Sequence, residues 1–410
     1  MSRKLLLLAL CLTANAVSAV AAELPAPWVQ LAANGELSVR AVVAPDTACP
    51  SVSADGVTLV AGRRGASDAN FPIEVCEAPT PAATTRLTVG GVPVPTLPAT
   101  ARRIVVIGDT GCRIEGKAVQ DCGNATAWPF AAIAARAAAK RPELVIHLGD
   151  FYYRETACPV GRAGCAGSPH GDNWPTWKAE LFDPAAPLLA AAPWVIVRGN
   201  HELCSRGGRG WFRLLDPHPP RADCVDRTDP YWLSVAGLSL LIFDSSDADD
   251  FLAPPDKVAA YAAQLAPALA KTPPRAWLLT HRPVWAMAQG ELTGLTSNQT
   301  VQAALRGLVP VNLDLVLSGH LHDFLSYEFG PERPPQLVVG TGGDALLPLA
   351  KAPIVGAEID GMPVRRGFAD GRFSYFVMER SDNGWDGTLY AVDDTVLARC
   401  RLAGREIDCR

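Results

Sequence analysis

The sequence predicts an α/β layered domain that follows a smaller β-rich segment at the N-terminus. From residue 103 onward, short apolar runs typical of buried strands alternate with alanine-rich stretches typical of helices. Residues 23–99 instead show short β segments separated by prolines. Of the 410 residues, 49% are hydrophobic and only 19% are charged, which excludes a disordered or fibrous protein.

The first 22 residues have the order of a secretory signal peptide. Arg3 and Lys4 precede the apolar run 5–12, and small residues follow as far as Ala22, with Ala19 as a second candidate cleavage site. That run is too short to cross a bilayer core of about 30 Å, and no later segment reaches the ~20 apolar residues of a membrane helix. We therefore expect a periplasmic or secreted protein without a membrane span.

The remaining segments are assigned in chain order. We expect a small β-rich domain and a proline-rich linker in residues 23–99, with strands near 37–43 and 86–89, and the α/β domain in residues 100–410. Antiparallel strands are expected from 373 to 402. In the α/β domain, strands are predicted at 104–107, 144–146, 194–197, 239–243, 276–279, 313–317 and 336–339, and helices at 128–140, 177–191, 256–270 and 297–307.

Ten cysteines remain after Cys11 of the signal peptide is set aside, an even number in an exported chain. Five disulfides between sequence neighbours are the simplest pairing. A zinc cluster is the alternative, and the absence of any Cys-x-x-Cys spacing weighs against it. The pairs are Cys49/Cys76, Cys112/Cys122, Cys158/Cys165, Cys204/Cys224 and Cys400/Cys409.

Five of the predicted strands end in side chains that bind metal ions. Ligands of open α/β sheets bind at the carboxyl ends of the strands, so side chains distant in sequence converge there. Glycine, which precedes most of these side chains, lets the backbone turn sharply and approach closely. The five motifs are Gly108-Asp109-Thr110-Gly111, Gly149-Asp150-Phe151-Tyr152-Tyr153, Gly199-Asn200-His201-Glu202, His281-Arg282-Pro283 and Gly319-His320-Leu321-His322.

This ordered series resembles the calcineurin-type metallophosphoesterases, and within them the purple acid phosphatases, over roughly residues 103–345. Most metallophosphoesterases have Asp-x-His in the first motif, whereas Asp109-Thr110-Gly111 lacks the histidine. Purple acid phosphatases have instead a tyrosine three residues after the second aspartate, and Tyr153 stands at that distance from Asp150. The resemblance implies a four-layer α/β/β/α sandwich for the larger domain.

The resemblance also implies a dinuclear metal centre that holds Fe(III) and a divalent ion, which is Fe, Zn or Mn. Tyrosinate is a hard anionic donor that favours Fe(III). His201 resembles the family histidine that contacts the phosphate or protonates the leaving group. The implied ligands are Asp109, Asp150, Tyr153 and His322 for one metal, and Asp150, Asn200, His281 and His320 for the other, so that Asp150 bridges the pair.

The function implied is that of an exported acid phosphatase that hydrolyses small phosphomonoesters with a metal-bound hydroxide as nucleophile. The formal net charge of −5 provides no basic excess for nucleic acid, so we expect no nucleic-acid partner. Two alternatives remain open. One is a phosphodiesterase on the same site, and the other is a non-catalytic binding protein on this fold.

The sequence departs from the mammalian-type purple acid phosphatases at one position. A second histidine follows the Pro-Val-Trp segment in those enzymes, but after Pro283-Val284-Trp285 this chain has Gln289-Gly290-Glu291 at the corresponding place. The sequence therefore leaves open which group protonates the leaving group, and His170, in the insertion after Tyr153, is one candidate to replace the missing histidine.

Two further predictions concern the loops that follow the ligand motifs. Arg206 and Arg209 either bind a second anionic group of the substrate or belong to a solvated loop. Three of the expected disulfides, Cys112/Cys122, Cys158/Cys165 and Cys204/Cys224, follow ligand motifs directly, and we expect them to stiffen the rim of the site.

Overall fold

The computed structural model describes residues 24–287, 298–349 and 353–410. The predicted signal peptide lies outside the described residues. Two large sheets pack face to face, and helices cover the outer face of each sheet. The predicted four-layer α/β/β/α sandwich is therefore confirmed. No helix in the described part of the chain is long and apolar enough to cross a membrane.

The bounds of the elements are as follows. The strands are β1 (Trp28–Leu31), β2 (Leu37–Val43), β3 (Val52–Ala54), β4 (Val57–Leu59), β5 (Gly62–Arg63), β6 (Glu74–Thr80), β7 (Leu87–Val89), β8 (Val92–Pro93), β9 (Arg103–Ile107), β10 (Ile114–Glu115), β11 (Ala118–Val119), β12 (Leu144–His147), β13 (Trp194–Ile196), β14 (Tyr231–Val235), β15 (Leu238–Phe243), β16 (Ala276–Thr280), β17 (Leu313–Ser318), β18 (Phe324–Glu328), β19 (Gln336–Val339), β20 (Glu358–Ile359), β21 (Met362–Pro363), β22 (Arg366–Asp370), β23 (Ser374–Ser381), β24 (Gly384–Ala391), β25 (Val396–Ala403) and β26 (Glu406–Cys409). The helices are α1 (Phe130–Ala139), α2 (Trp174–Trp177), α3 (Asp183–Leu189), α4 (Gly208–Gly210), α5 (Pro255–Leu269) and α6 (Gln299–Leu305), with 3₁₀ turns at Ala163–Cys165 and Asn200–Glu202 and π-helical turns at Lys178–Phe182 and Trp211–Leu215.

The larger sheet has the strand order β26-β25-β24-β23-β9-β12-β13-β1-β2-β6-β5. Its central strands β9, β12 and β13 are parallel, with Ile107 opposite His147 and His147 opposite Ile196. The second sheet has the order β14-β15-β16-β17-β19-β18-β22, and β15, β16, β17 and β19 are parallel. Since parallel strands end at one edge of a sheet, the strand-end motifs of both sheets lie at one end of the sandwich.

Three apolar clusters hold the four layers together. The cluster between the sheets is formed by inward-facing side chains such as Ile104 and Val106 of β9 and Leu315 of β17. Helix α1 buries Phe130, Ile133, Ala134 and Ala137, the i, i+3, i+4, i+7 stripe of an amphipathic helix, against the larger sheet. Helices α5 and α6 cover the second sheet in the same way. Each fully buried aliphatic or aromatic side chain contributes about 1.5–3 kcal/mol to folding.

The N-terminal segment 23–99 is divided between two sheets. Strands β1, β2, β6 and β5 extend the larger sheet, with Gln30 of β1 paired in parallel with Trp194 of β13. Strands β4, β3, β7 and β8 form a separate four-stranded sheet. Every residue of β2 is buried, so this strand is covered on both faces. The larger sheet thus contains strands from both sides of residue 100, and a domain boundary at that residue stays a prediction.

The cysteines pair as the sequence predicts. The disulfides are Cys49–Cys76, Cys112–Cys122, Cys158–Cys165, Cys204–Cys224 and Cys400–Cys409. Five such bridges are typical of proteins that fold in an oxidising compartment.

Candidate metal centre

Two aspartates approach each other at the ends of the neighbouring strands β9 and β12. Asp109 and Asp150 both adopt φ of 56°, in the left-handed region that turns the chain sharply away from a strand. The backbone N–H of Asp109 donates to the carbonyl of Gly149 at 3.0 Å, which ties the two turns together. A Cβ at Gly199 would overlap the Asp150 carboxylate, so only glycine lets the third strand end approach this closely.

Tyr153 brings its phenol oxygen to the centre of three of the predicted ligands. The phenol oxygen lies 2.9 Å from Oδ2 of Asp150, 3.2 Å from Oδ1 of Asp109 and 3.1 Å from Nε2 of His322. The Tyr153 side chain is fully buried. Two carboxylates, a phenol and an imidazole thus converge on one point.

A second set of donors lies on the other side of Asp150. Nε2 of His281 is 3.1 Å from Oδ2 of Asp150 and 3.1 Å from Oδ1 of Asn200. His320 joins this set, because ligand atoms of Asp150, His281 and His320 all lie within 4.8 Å of one another. The backbone N–H of His320 also donates to the Asp109 carboxylate at 2.9 Å, which links the second sheet to the first.

Each of the three histidines has one ring nitrogen held by an oxygen atom of the protein. Nδ1 of His281 donates to the carbonyl of Leu148 at 2.8 Å, and Nδ1 of His322 donates to the carbonyl of Ala345 at 2.7 Å. Nε2 of His320 lies 2.8 Å from Oδ2 of Asp250 and 2.9 Å from Nη1 of Arg282. In His281 and His322 the nitrogen that donates to a carbonyl carries the proton, so the other ring nitrogen keeps its lone pair for a metal.

The electrostatics of the cluster favour a bound cation. Burial, and then the charge of Asp150, raise the pKa of Asp109 well above its ordinary value. Burial and the carboxylates of Asp150 and Asp109 likewise raise the pKa of Tyr153 well above its ordinary value. Buried oxygen atoms that carry negative charge repel one another unless a positive charge lies between them. The donor set of carboxylate, phenol, amide and imidazole therefore fits a pair of metal ions.

Glu202 supports this cluster, and the sequence analysis assigned it no role although it follows His201 directly. Its fully buried carboxylate accepts hydrogen bonds from the N–H groups of residues 150–152 at 2.8–3.2 Å and of Gly199 at 2.9 Å. Burial, and then the charge of Asp150, raise the pKa of Glu202 to about 8. Glu202 thereby holds the loops of the second and third motifs together.

Glu180 supports the tyrosine from the opposite side. Its buried carboxylate accepts from the N–H of Tyr153 at 2.5 Å, from the N–H of Cys112 at 3.0 Å and from Nε of Arg154 at 3.0 Å. Burial raises the pKa of Glu180 to about 7. It lies in the π-helical turn before α3, and no motif in the sequence points to it.

His201 lies against the ring of Tyr153, with the ring centroids 3.8 Å apart. Its Nδ1 is 2.7 Å from Oε1 of Glu155, and its Nε2 is 3.3 Å from Nη2 of Arg206. Nε2 is also 3.9 Å from Oδ2 of Asp150. The sequence analysis missed Glu155, whose proximity to His201 arises only from the fold.

The sequence model of the calcineurin-like phosphoesterase family matches residues 102–324, which is more than half of the chain. The chain belongs to this family. The fold of this family supports hydrolysis of phosphate esters, and a dinuclear metal centre is a feature of the family. No curated protein matches the sequence significantly.

Two solved structures show the same fold as this phosphoesterase. Purple acid phosphatase PPD1 from seeds of yellow lupin (Lupinus luteus) is 14% identical and has a TM-score of 0.62, with 91% of this chain and 73% of that chain covered. PhoD is 12% identical and has a TM-score of 0.55, with 95% and 92% covered. The phosphoesterase is therefore purple acid phosphatase-like in its fold.

The donors of the phosphoesterase open into a cleft of about 570 Å³. Arg206 lines this cleft, whereas Arg209 binds Asp68 at 3.1 Å and does not line it. His170 is exposed and is not among the cleft residues. The segment 289–291, which replaces the second family histidine, lies outside the described residues. The cleft is lined by Arg113, Glu115, Ala118, Asp150, Asn200, His201, Arg206, Asp250, Phe251, His320, Leu321, His322, Ala345, Leu346 and Leu347.

Proposed function

We propose that this phosphoesterase is an exported acid phosphatase of the purple type, which converts a phosphomonoester and water into an alcohol and inorganic phosphate. The observation that supports the subfamily is the Tyr153 phenol, 2.9 Å from Asp150 and 3.1 Å from His322. A tyrosine at this point replaces the first-motif histidine of other family members and supplies the anionic donor that Fe(III) prefers.

Seven residues would hold the two metals. Fe(III) is assigned to Asp109, Asp150, Tyr153 and His322, and Fe, Zn or Mn in the divalent state to Asp150, Asn200, His281 and His320. Two such ions would withdraw charge from the phosphoryl oxygens and lower the pKa of a bound water molecule. The ring nitrogens of His281 and His322 that face Leu148 and Ala345 carry protons, so the opposite nitrogens are ready to bind.

The protein side chains of the cleft would orient the ester. Arg206 and Arg113 bring guanidinium groups to one wall, where they attract the dianionic phosphoryl group before it reaches the metals. His201 would donate its Nε2 proton to the leaving oxygen, and Glu155 at 2.7 Å from Nδ1 keeps the ring in that orientation. Phosphate and alcohol then leave through the open side of the cleft.

A visible absorption spectrum of the purified protein, with metal analysis of the same sample, tests the metal assignment. We expect a broad band in the green-to-yellow region and one equivalent each of iron and a divalent metal. A colourless protein with two equivalents of zinc or manganese would support a phosphoesterase but contradict its assignment to the purple subfamily. A folded protein that stays metal-free after reconstitution would favour a non-catalytic binding protein.

A pair of aromatic substrates tests the ester class. The substrates 4-nitrophenyl phosphate and bis(4-nitrophenyl) phosphate release the same coloured leaving group. The ratio of their initial rates therefore reports the preference for monoester over diester. We expect the monoester to have the higher kcat/KM. The reverse order would identify a phosphodiesterase on the same site.

Export is tested by the N-terminus of the mature protein. The five disulfides support an oxidising compartment. Expression of the full chain in a Gram-negative host, followed by N-terminal sequencing of the periplasmic protein, is expected to give Glu23 as the first residue. A cytoplasmic protein that retains Met1 would contradict the proposal.

A further inference from the structure

The two walls of the cleft differ in polarity. Arg113, Glu115 and Arg206 form one wall, and the two arginines and the glutamate are joined in ion pairs of 2.7–3.0 Å. Phe251 and Leu347 line the same cleft. The cleft thus holds exposed apolar side chains in addition to the paired arginines.

Short contacts place both apolar residues beside the metal centre. Phe251 follows Asp250, whose carboxylate is 2.8 Å from Nε2 of His320. The N–H of Leu347 donates to the carbonyl of His322 at 3.5 Å. Phe251 is thus adjacent in the chain to a residue that contacts His320, and the backbone of Leu347 contacts that of His322.

These apolar side chains are left open to solvent. Phe251 is 53% exposed and Leu347 is 38% exposed, and Leu252 and Leu349 beside them are 63% and 40% exposed. Phe251 is the one aromatic side chain with this degree of exposure in the described part of the chain. Exposed apolar side chains that line a ligand cleft, as Phe251 and Leu347 do, are typical of a binding surface.

We infer that the substrate is a phosphomonoester whose organic group is apolar, an alkyl chain or an aromatic ring, and that this group binds against Phe251 and Leu347. The inference rests on the proposed phosphatase function and names the substrate class of that site. The occupant is a small molecule because the apolar side chains share one cleft of about 570 Å³ with the metal-ligand residues, a volume within the range of small-ligand pockets.

A series of n-alkyl phosphates from methyl to octyl measures this binding surface directly. The leaving alcohols have nearly constant pKa beyond ethyl, so the chemical step stays the same while the apolar area grows. Full burial of one methylene group corresponds to about a fourfold gain in affinity, and partial burial to less. We expect kcat/KM of the wild-type enzyme to rise roughly two- to fourfold per methylene over the first four carbons.

Variants of Phe251 and Leu347 test whether these side chains bind the organic group of the ester. Phe251→Ser and Leu347→Ser are expected to reduce the slope of log kcat/KM against chain length by at least half, and Phe251→Leu is expected to restore most of it. Val311→Ser is the matched control, since Val311 is 86% exposed and precedes β17, at the opposite end of that strand from His320. This control is expected to keep the wild-type slope.

Each outcome separates the inference from the proposed function. Hydrolysis of every ester with a flat dependence on chain length would overturn the inference and retain the phosphatase. Hydrolysis of none of the esters by fully metallated enzyme would overturn the proposed function itself. If sedimentation showed that Phe251→Ser dissociates an oligomer while the slope is unchanged, the surface would be a contact between copies of the chain, and the inference would fail.

Discussion

The phenol oxygen of Tyr153 lies 2.9 Å from Oδ2 of Asp150, three residues earlier in the chain. The turn that follows β12 folds back so that both oxygens face the same point. Asp150 also contacts Nε2 of His281 at 3.1 Å. One carboxylate therefore belongs to both donor sets, as a ligand shared by two metals would.

Replacement of this phenol has a spectroscopic signature. Tyr153→Phe is expected to abolish the visible band. Loss of a residue that hydrogen-bonds to a metal ligand weakens metal binding roughly 10- to 100-fold, so we expect loss of the ligand itself to weaken iron binding by more than that. Tyr152→Phe is the control, because Tyr152 is equally buried but its ring stacks on Trp177, at 5.7 Å between centroids. Absorption spectra and iron analysis of both variants make the comparison. Persistence of the band in Tyr153→Phe would exclude the tyrosinate ligand.

His201 is expected to act on the chemistry and not on metal content. His201→Asn should lower kcat by about 10²- to 10⁴-fold while both metals stay bound. The loss should be larger for an alkyl phosphate than for 4-nitrophenyl phosphate, whose leaving group needs no proton. His170→Asn provides the control, and equal losses in the two variants would show that His201 is not the proton donor.

Gly199 is expected to tolerate no side chain. In Gly199→Ala the new Cβ overlaps the Asp150 carboxylate, so this proposed bridging ligand must move, with a loss of about 1–3 kcal/mol in the free energy of unfolding. Gly62→Ala is the control, since its nearest neighbour would be the carbonyl of Glu77 at 4.0 Å. Metal analysis and thermal unfolding measure the result. Wild-type metal content in Gly199→Ala would show that the loop relaxes without loss of the site.

The disulfide Cys204–Cys224 is expected to stiffen the loop that carries His201. The double variant Cys204→Ala/Cys224→Ala should lower kcat/KM several-fold at 25 °C and lower the melting temperature. Cys400→Ala/Cys409→Ala removes a bridge between β25 and β26 at the edge of the larger sheet, so it should lower only the melting temperature. Steady-state kinetics and calorimetry separate the two effects. Equal kcat/KM in both double variants would restrict the bridges to a general role in stability.

Glu77 couples the stability of the chain to acid pH. Its carboxylate is 2.9 Å from Nη2 of Arg40 and 2.6 Å from Nη1 of Arg64, and Arg40 also donates to the carbonyl of Leu214 at 2.7 Å. Burial raises the pKa of Glu77, but the two guanidinium charges outweigh burial and hold the pKa below its ordinary value of 4.5. The unfolded chain therefore binds this proton first as the pH falls.

The sign of the effect follows from that order. The contribution of Glu77 to stability is complete above about pH 4.5 and is lost as the pH falls through its lowered value in the folded state. Glu77→Gln is expected to cost about 3 kcal/mol at pH 7, because it leaves buried Arg40 without its charge partner, and the difference should shrink below pH 4. Denaturant unfolding across this range, with Glu406→Gln on the surface as control, measures it. A pH-independent difference would contradict the ion cluster.

Much of the site was predictable because its residues follow strands. An apolar run followed by glycine and a polar residue is a local pattern, so it marks the end of a strand even when the neighbouring strands are unknown. The order of five such ends identified the family, and the pairing of neighbouring cysteines was predicted because short loops favour local bridges. The absence of a histidine after Asp109, together with Tyr153, could likewise be read from the sequence.

Other parts of the site could not be predicted from the sequence. Glu180 reaches the N–H of Tyr153, Glu155 lies beside His201, and Asp250 lies beside His320, each through chain reversals that no local pattern encodes. The sequence of β2 also could not show that β1 pairs with β13, or that both faces of β2 are covered.

The sequence by itself determined the donor types, their order along the chain, the disulfide partners and the alternation of strands and helices, because these depend on side-chain chemistry and on neighbours a few residues apart. Only the tertiary structure decided that Asp109 and His320 meet across two sheets, that buried Glu202 and Glu180 hold the ligand loops, and that Phe251 and Leu347 face the cleft. Those relationships depend on how the two sheets pack, and packing is set by the sum of many distant apolar contacts.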